Sequence, residues 1–310
     1  MKKVLSGFFL GVLLMGLSVN GYGYSEERMD GLTIWASGGY HDGSMNFRVS
    51  DAGVSRSELD YEMDGMYFTA GVHYQFVHSN VPKLSMTAVG TVSRHLEGTA
   101  TDSDWLTYYS PDLWIYSKSD IDTDEEKYDL NLGYEFLNIK DGKFKLNLLG
   151  GYYWNSYKVK DYDVDTLIYD YEYIDVTTAG KAASYDAKFR GYYIGLDGAF
   201  KINEHWIINA NFKGVPDIRA KATGKWVLRD FYFKQDATGK GYEMSLGTTF
   251  IPKENWAFEL TVTKTSFNVE GDDDYFKLTD YTSGTYLGTT NLDFLKLDTY
   301  TTEIKVKYLF

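Results

Sequence analysis

Apolar side chains occur at every second position in many segments of this chain. In residues 66–76 the even-numbered positions are apolar, while the odd-numbered ones include Thr69, His73 and Gln75. The same alternation recurs in residues 128–136, 144–154, 192–202, 206–212 and 256–262. Because successive side chains of a β-strand point to opposite faces, each segment predicts a strand with one apolar and one polar face. The chain is therefore expected to be all-β.

The polar faces, strand lengths and turn spacing favour a membrane barrel over a soluble sandwich. The polar faces carry Asp, Glu, Lys, Asn and His, which suits a water-filled lumen with the apolar faces turned to lipid. The alternating segments are longer than the roughly five or six residues usual in globular proteins. Short turn segments alternate with longer polar, acidic stretches, and the short ones are residues 80–83, 138–143, 203–205 and 252–255. Short periplasmic turns and long external loops are typical of outer-membrane barrels.

The carboxyl-terminal segment strengthens this interpretation. Ile304, Val306, Tyr308 and Phe310 alternate with mostly charged residues, and a terminal amphipathic strand ending in phenylalanine resembles the assembly signal of outer-membrane barrels. Since every backbone group in a bilayer needs a partner, this strand is expected to close against the first one, around residues 32–41. The turn pattern gives about ten strands, so the prediction is a ten-stranded antiparallel up-and-down transmembrane β-barrel.

The amino-terminal segment has the pattern of an export signal. Lys2 and Lys3 precede an apolar stretch over residues 4–19, and Gly21 and Gly23 supply a cleavage site. The alternative is a membrane anchor, but the stretch is shorter than the roughly 20 residues that span a bilayer. We expect residues 1–23 to be a signal peptide and residues 24–310 to form one barrel domain in the outer membrane.

Composition excludes several partners and cofactors. The formal net charge is −13, so no basic face is expected for a nucleic-acid backbone. There is no cysteine, which excludes disulfides and thiolate metal sites. No HExxH, GxGxxG or Walker pattern occurs. Residues 222–225 and 237–240 are similar to only part of a phosphate loop and are expected in strands or turns. No cofactor is expected.

Acidic runs and histidines give no clear metal site. The acidic runs lie at residues 120–124, 161–165 and 272–274. They offer oxygen ligands for calcium but lack the EF-hand glycine and terminal glutamate, so solvated loop surface is the expected environment. The histidines do not pair at metal-binding spacing, and polar lumen or interface positions are expected for them; they are His41, His73, His78, His95 and His205.

Two carboxylates stand out as a candidate site. Asp102 and Asp104 flank Ser103 and precede Trp105, in what the turn pattern predicts to be a long external loop. On an extended backbone they would face the same side. Two close carboxylates raise each other's proton affinity and can hold or activate a water molecule.

Several motifs, in order and with similar spacing, resemble the omptins, the outer-membrane aspartate-type proteases of Gram-negative bacteria. Ser-Glu-Leu-Asp-Tyr at residues 57–61 is similar to their Ser-Gln-Leu-Asp-Trp, and Asp-Ser-Asp-Trp at residues 102–105 to their Asp-Gln-Asp-Trp. Residues 128–132 and 193–196 resemble their fourth and sixth strands. The resemblance spans most of the mature chain. It implies a ten-stranded barrel that cleaves peptides in an extracellular groove at the barrel mouth.

The resemblance also assigns catalytic positions. Omptins use an aspartate pair, matched here by Asp102 and Asp104, and an aspartate–histidine pair on the facing wall. Without gaps, the second pair falls on Gly224 and Trp226, and an indole cannot accept a proton. Since His205 is the last histidine, no substitute follows. Histidine serves as the general base near neutral pH, so peptide hydrolysis is expected to be impaired or lost.

Other family positions are changed too. Where omptins hold the acids of a basic-residue pocket, this chain has Ala222 and the region of Asn46 and Phe47. Strict alternation from Phe212 would turn Trp226 toward lipid, so the placement requires a break in the alternation.

Pro216 is the expected position of that break, as a β-bulge. Of the lipopolysaccharide-contacting positions of the family, Tyr152 and Lys188 are retained, whereas Ser156 stands in place of an arginine.

Three functional hypotheses remain open. The first is an omptin-like endopeptidase homologue with impaired activity, with lipopolysaccharide as its lipid partner and an extracellular peptide or protein as substrate. The second is a non-catalytic binding or adhesion barrel that uses aromatic loop residues, for which the candidates are Tyr108, Tyr109, Trp114 and Tyr116. The third is a narrow passive pore, although side chains fill much of a barrel of this size.

Overall fold

A computed structural model describes residues 31–51, 54–76, 84–105, 113–140, 142–227, 231–278 and 284–310. The predicted signal peptide, His78, Tyr108 and Tyr109 lie outside these residues. The ten strands are β1 (Leu32–Asp51), β2 (Val54–Gln75), β3 (Leu84–Asp104), β4 (Ile115–Ile139), β5 (Phe144–Tyr169), β6 (Glu172–Lys201), β7 (Trp206–Trp226), β8 (Phe231–Lys253), β9 (Trp256–Leu278) and β10 (Gly284–Leu309).

The strands form a closed barrel in which each strand pairs antiparallel with its neighbours in the chain. The last strand closes against the first, with Thr33 opposite Leu309, and the Phe310 amide donates to the Leu32 carbonyl over 3.0 Å. The predicted ten-stranded up-and-down barrel and its closure are confirmed. We call the end with residues 31 and 310 the terminal end, and the opposite end the mouth.

A belt of apolar side chains surrounds the outside of the barrel at its terminal end. Phe68, Leu132 and Ile304 are each more than 60% exposed, as the alternation predicts for residues that face lipid. Aromatic residues border the belt at the terminal end, where for example the rings of Trp256 and Tyr308 lie 5.0 Å apart. No helix in the described part of the chain is long and apolar enough to cross a bilayer.

The outward positions change from apolar to charged at the same height on several strands. Toward the mouth, the next outward-facing residue after Met66 on β2 is Asp64, and the next one after Tyr192 on β6 is Arg190. The strands continue well beyond this boundary. β9 has its last apolar belt residue at Val262 and extends to Leu278, which at roughly 3.4 Å per residue adds about 50 Å of strand before tilt is considered.

The prediction of long loops at the mouth is wrong, because most of those polar stretches are strand. Residues 120–124 lie in β4 and pair in register with β5, and residues 161–165 lie in β5, where the pairing is interrupted by an irregularity at Asp163. The connection between β5 and β6 is only Asp170 and Tyr171, whose φ angles are 51° and 68°. Two successive positive φ angles are the mark of a tight hairpin turn. Neighbouring polar stretches satisfy each other's backbone groups and need no loop.

The short turns predicted at the terminal end are confirmed where they are described. The β4–β5 turn follows Ile139, and the β8–β9 turn lies between Lys253 and Trp256. In the β6–β7 turn the side chain of Asn203 accepts the amide of His205 over 2.9 Å. The predicted turn at residues 80–83 falls outside the described residues.

The lumen inside the apolar belt is polar and ion-paired. Lys213 Nζ lies 2.8 Å from Glu243 Oε1 and 2.5 Å from Asp129 Oδ2, and Lys127 also contacts Glu243. Lower in the barrel, Lys305 Nζ lies 2.9 Å from a Glu259 oxygen. A cavity of about 420 Å³ runs through this region. This half of the barrel matches the predicted water-filled lumen.

The mouth half of the interior differs from that prediction, because apolar side chains fill it. The largest of the fully buried side chains here are Tyr61, Tyr185, Phe189, Phe267 and Met45. The strands rise above the bilayer, so their inner faces can bury apolar groups away from water as a soluble protein does. The interior therefore has a polar lower part and an apolar upper part.

Candidate functional site

Asp102 and Asp104 lie at the mouth end of β3. Both side chains point into the barrel, with exposed fractions of 4% and 8%, because residues two apart on a strand share a face. The expected loop environment is wrong, since β3 continues through Asp104, which pairs with Ser57 of β2 and Ile115 of β4. The two carboxylates therefore share one face of a fully paired strand.

The facing wall includes the mouth half of β7, where a bulge decides which residues point inward. Pro216 and Asp217 are both exposed, so the alternation is interrupted there. The register shifts at this point against both β6 and β8. The expected break at Pro216 is confirmed, and proline suits it because it has no backbone N–H to pair. Beyond the bulge, Gly224 and Trp226 face the interior.

The ring of Phe233 covers Gly224. A Cβ atom at position 224 would lie 1.9 Å from Phe233 Cζ, so the ring takes the space that a side chain would need. The Phe233 ring centroid lies 5.6 Å from that of Phe47 and 6.0 Å from that of Tyr185. Tyr185 in turn stacks on Tyr61 at 5.6 Å. An aromatic cluster thus fills the position where the resemblance to omptins places a carboxylate.

A cavity of about 480 Å³ lies at the mouth between the two walls. Asp104 reaches it from β3 and Trp226 from β7, so the structure brings these two predicted positions to one cavity, while Asp102 and Gly224 do not line it. Half of the remaining lining residues are aromatic, namely Phe47, Trp105, Trp114, Phe231, Phe233 and Tyr275. Trp114, a predicted loop candidate, is therefore part of this cavity.

Asp273 of β9 also lines the cavity, and sequence reasoning placed it on a solvated surface. It is 4% exposed and its Oδ1 atom has no hydrogen-bond partner among the described residues. Burial raises its pKa to about 7, against the opposing effect of interactions with Gln235 and Thr290. The alternation along β9 predicts an inward position for Asp273, because odd-numbered residues beyond Trp256 point inward.

Asp161 is a second acid that the sequence placed wrongly. It is 2% exposed, and burial raises its pKa to about 7, opposed by Ser119 and Lys181. Other members of the acidic runs do lie on the outside as expected. Asp122, for example, forms ion pairs there with His95 and Lys160.

The described histidines lie at separate places in the barrel. Buried His41 contacts Glu125 at 3.3 Å, and lumenal His73 bonds to Thr87. His205 lies in a turn at the terminal end, bonded to the Ile251 carbonyl. Within the part of the chain that the structure describes, no group of three or more His, Cys, Asp or Glu side chains could hold a metal ion.

The positions of the family's basic-residue pocket carry apolar groups. Ala222 and Phe47 are both buried and face the interior. Asn46, the neighbour of Phe47, is on the opposite face of β1. These side chains offer no carboxylate to a basic residue.

Basic side chains cluster on the outside of the barrel immediately above the apolar belt. Lys188 of β6 lies opposite Lys221 of β7, and Arg190 lies opposite Arg219. All four are exposed. Directly opposed like charges destabilise a strand pair, and Lys221 is partly neutralised by Asp236, whose carboxylate lies 2.8 Å from its Nζ atom. This outer basic patch is next to Tyr152 and Ser156, both of which face outward on β5.

Comparison with known proteins agrees with this architecture. A family model described as Omptin family matches residues 29–310. The crystal structure of the outer membrane protease OmpT from Escherichia coli superposes with a TM-score of 0.77 at 17% sequence identity, covering 93% of this chain and 99% of that chain. The translocator domain of the autotransporter NalP from Neisseria meningitidis gives a TM-score of 0.39 at 12% identity, covering 100% of this chain and 96% of that chain. No curated protein matches the sequence.

A ten-stranded closed barrel with an apolar outer belt and a polar lumen defines an outer-membrane β-barrel protein. Together with the omptin family model, this architecture places the chain in the cell outer membrane. Because the family model matches all of the described residues, the chain belongs to the omptin family.

Proposed function

We propose that this chain is an omptin homologue that receives peptide or protein in an extracellular groove at the mouth and hydrolyses it weakly or not at all. The observation that carries the proposal is the aromatic filling of the β7 wall. Trp226 lines the cavity at the position matched to the catalytic histidine, and the Phe233 ring covers Gly224, matched to its aspartate partner. Neither an indole nor a glycine accepts a proton from water.

The extracellular orientation of the mouth rests on the height of the strands. Outer-membrane barrels have short turns on the periplasmic side and their larger extramembrane parts outside, and here the strands extend far beyond the apolar belt toward the mouth. The mouth then projects outward on strands that extend beyond the bilayer. A peptide in the surrounding medium would meet Asp104 and the aromatic walls first.

Asp102 and Asp104 alone are a weak catalytic set. They can hold a water molecule, but general-base catalysis is typically worth about 10² to 10⁴-fold in rate. Absence of the histidine should therefore lower the rate by a factor of about that size. The chain keeps the groove of a protease and lacks the group that would take the proton of the attacking water.

Peptide cleavage tests the proposal directly. Protein refolded with lipopolysaccharide is incubated with a peptide library, with OmpT as the positive control, and products are read by mass spectrometry. We expect little turnover, and we expect Asp102→Asn to change it by less than about threefold, since the substitution removes no complete mechanism. Robust cleavage that Asp102→Asn abolishes would overturn the proposal.

The outer basic patch supports lipopolysaccharide as the lipid partner. Lys188 and Lys221 are in register, as are Arg190 and Arg219, and phosphate groups would relieve their repulsion. The patch lies just above the belt, at the height of lipid headgroups. Replacing Arg190 and Arg219 by Gln should weaken binding of lipopolysaccharide in a refolding titration, and equal binding by both proteins would contradict this assignment.

A second candidate function is a non-catalytic binding barrel. The mouth cavity favours it, because half of its lining residues are aromatic and such rings are suited to recognition. The two functions differ in one readout, since a binding barrel retains its ligand without turnover.

A further inference from the structure

We propose that the mouth cavity binds an organic cation of the quaternary ammonium class. The inference rests on the proposed function only in that the mouth must be open to the outside. It concerns binding, so it does not depend on whether peptides are cleaved. The cavity volume of about 480 Å³ is within the range of roughly 300–1,000 Å³ for small-molecule sites.

The walls have the composition of an aromatic cage. Trp105 and Trp114 come from the β3 side, Trp226 from β7 and Tyr275 from β9. The rings of Phe231 and Tyr275 stack at 5.9 Å. Aromatic faces attract cations through their quadrupoles, most strongly for tryptophan, and aromatic cages are a common device for quaternary ammonium groups.

The charge of the lining selects a cation over a neutral ligand. Asp104 and Asp273 approach the cavity from opposite walls, and Asp51 and Arg56 at its rim bond to each other at 3.2 Å. With that rim pair neutral overall, the formal charge of the other lining residues is negative when the Asp273 carboxyl is ionised. An anion would find no unneutralised positive group in it.

Asp273 supplies the second observation that points to a ligand. Its Oδ1 atom is buried and has no hydrogen-bond partner among the described residues, while Oδ2 has a 3.4 Å contact from Thr290 and the carboxyl group also interacts with Gln235 of β8. A buried acceptor left unpaired costs free energy. A cation seated against the rings would supply a counter-charge for this carboxylate.

The aromatic walls favour a quaternary over a primary ammonium group. A primary ammonium is strongly hydrated and must lose water to enter a cavity whose walls are mostly carbon. A quaternary ammonium is weakly hydrated and presents methyl groups to the rings. Choline should therefore bind most tightly, ethanolamine less tightly, and the neutral analogue 3,3-dimethylbutanol most weakly.

Binding can be read from tryptophan fluorescence, because three of the seven tryptophans line the cavity. The full barrel is refolded in a non-ionic alkyl glucoside, since detergents with a choline or amine-oxide headgroup would compete. Choline, ethanolamine and 3,3-dimethylbutanol are titrated in turn. We expect choline to bind at least about tenfold more tightly than either analogue, which corresponds to one cation–π contact of moderate strength.

Two variants and a matched control localise the ligand. Asp273→Asn and Trp226→Leu should each weaken choline binding by about tenfold to thirtyfold. Asp272→Asn removes the same charge one residue away on the exposed outer face and should leave binding unchanged. Circular dichroism and heat-modified migration on gels confirm that each variant is folded, and Asp102→Asn, used for the peptide assay, should retain choline binding.

The pH dependence gives an independent readout. Across the cavity from Asp273 lie Asp104, Arg56 and Asp51, while Tyr275 is beside it on β9 and Gln235 is opposite it on the adjacent strand β8. Since the empty site holds a proton on Asp273 below about pH 7, choline should bind more tightly as pH rises from 5.5 to 8.

Asp273→Asn should abolish that dependence. Equal affinity for choline and its neutral analogue, ethanolamine binding as tightly as choline, or unchanged binding in both cavity variants would each overturn the proposal. Choline-containing vesicles, compared with free choline, distinguish a lipid headgroup from a soluble ligand, and either source supports the cation site.

Discussion

Restoring the missing pair requires three substitutions, because Phe233 occupies the space of the first. A Cβ atom at position 224 would lie 1.9 Å from the Phe233 ring, and that ring is held by Phe47 and Tyr185 on either side. In the double variant Gly224→Asp with Trp226→His, the new carboxylate must displace a packed ring. Overpacking of this kind costs about 1–3 kcal/mol, and the carboxylate would also enter an apolar cluster.

The triple variant adds Phe233→Ala. Removing the ring costs about 3–5 kcal/mol of stability and opens the position beside residue 224. The restored histidine could then be oriented by a carboxylate across the mouth from Asp104. The expected gain in peptide cleavage over the parent is about 10² to 10⁴-fold, the usual contribution of a general base.

The assay is cleavage of a fluorogenic peptide by refolded protein, with folding checked by heat-modified gel migration. Phe233→Ala alone is the matched control and should gain nothing, since it supplies no base. The double variant should also remain inactive. A folded triple variant without activity would refute the idea that the groove is otherwise intact, and an active double variant would refute the steric argument.

Three further outcomes follow from the structure. Burial raises the pKa values of Asp161 and Asp273 to about 7. In the folded state both groups keep protons that the unfolded chain releases near pH 4. The free energy of unfolding should therefore fall as pH rises from 4 to 7, by up to about 4 kcal/mol per group. Replacing both aspartates by Asn should make the free energy of unfolding, measured in urea titrations, less dependent on pH. Lys213→Met leaves Asp129 and Glu243 short of a partner and should destabilise the barrel by about 3–5 kcal/mol in the same assay. Stable single-channel steps in a planar bilayer are not expected, because apolar side chains fill the mouth half.

The alternation of the sequence was enough to predict the fold, because it reports directly which residues face lipid. Leu130 and Leu132 are exposed on the outer belt as predicted, and Phe310 ends the closing strand. The break at Pro216 was predictable for a similar reason, since only a bulge could turn Trp226 inward. These features depend on the order of residues within one strand.

Features that depend on pairs of strands were not predictable in the same way. The contact between Gly224 and Phe233 arises because the two residues are directly opposite in the β7–β8 register, which no single segment specifies. The polar composition of residues 161–165 suggested a loop, although cross-strand pairing keeps them in β5. Asp273 was misplaced because charge was weighed above the alternation of its strand.

If Gly224 and Trp226 replace a catalytic pair, as we propose, the packing around them indicates that the mouth was rebuilt and did not simply lose two side chains. Loss of the pair alone would leave a polar gap beside Asp104, lined by groups that once bonded to it. Instead the Phe233 ring covers Gly224, and Trp226 extends an aromatic wall into the cavity at the mouth. Filling the gap requires changes on two strands that fit each other, and such a fit stabilises the barrel whether or not a ligand binds. What packing alone does not require is the buried oxygen of Asp273, which lines the same cavity from β9 and has no hydrogen-bond partner among the described residues, since an apolar residue there would be more stable. That excess charge in an aromatic cavity is the physical reason to look for a ligand at this site before looking for catalysis.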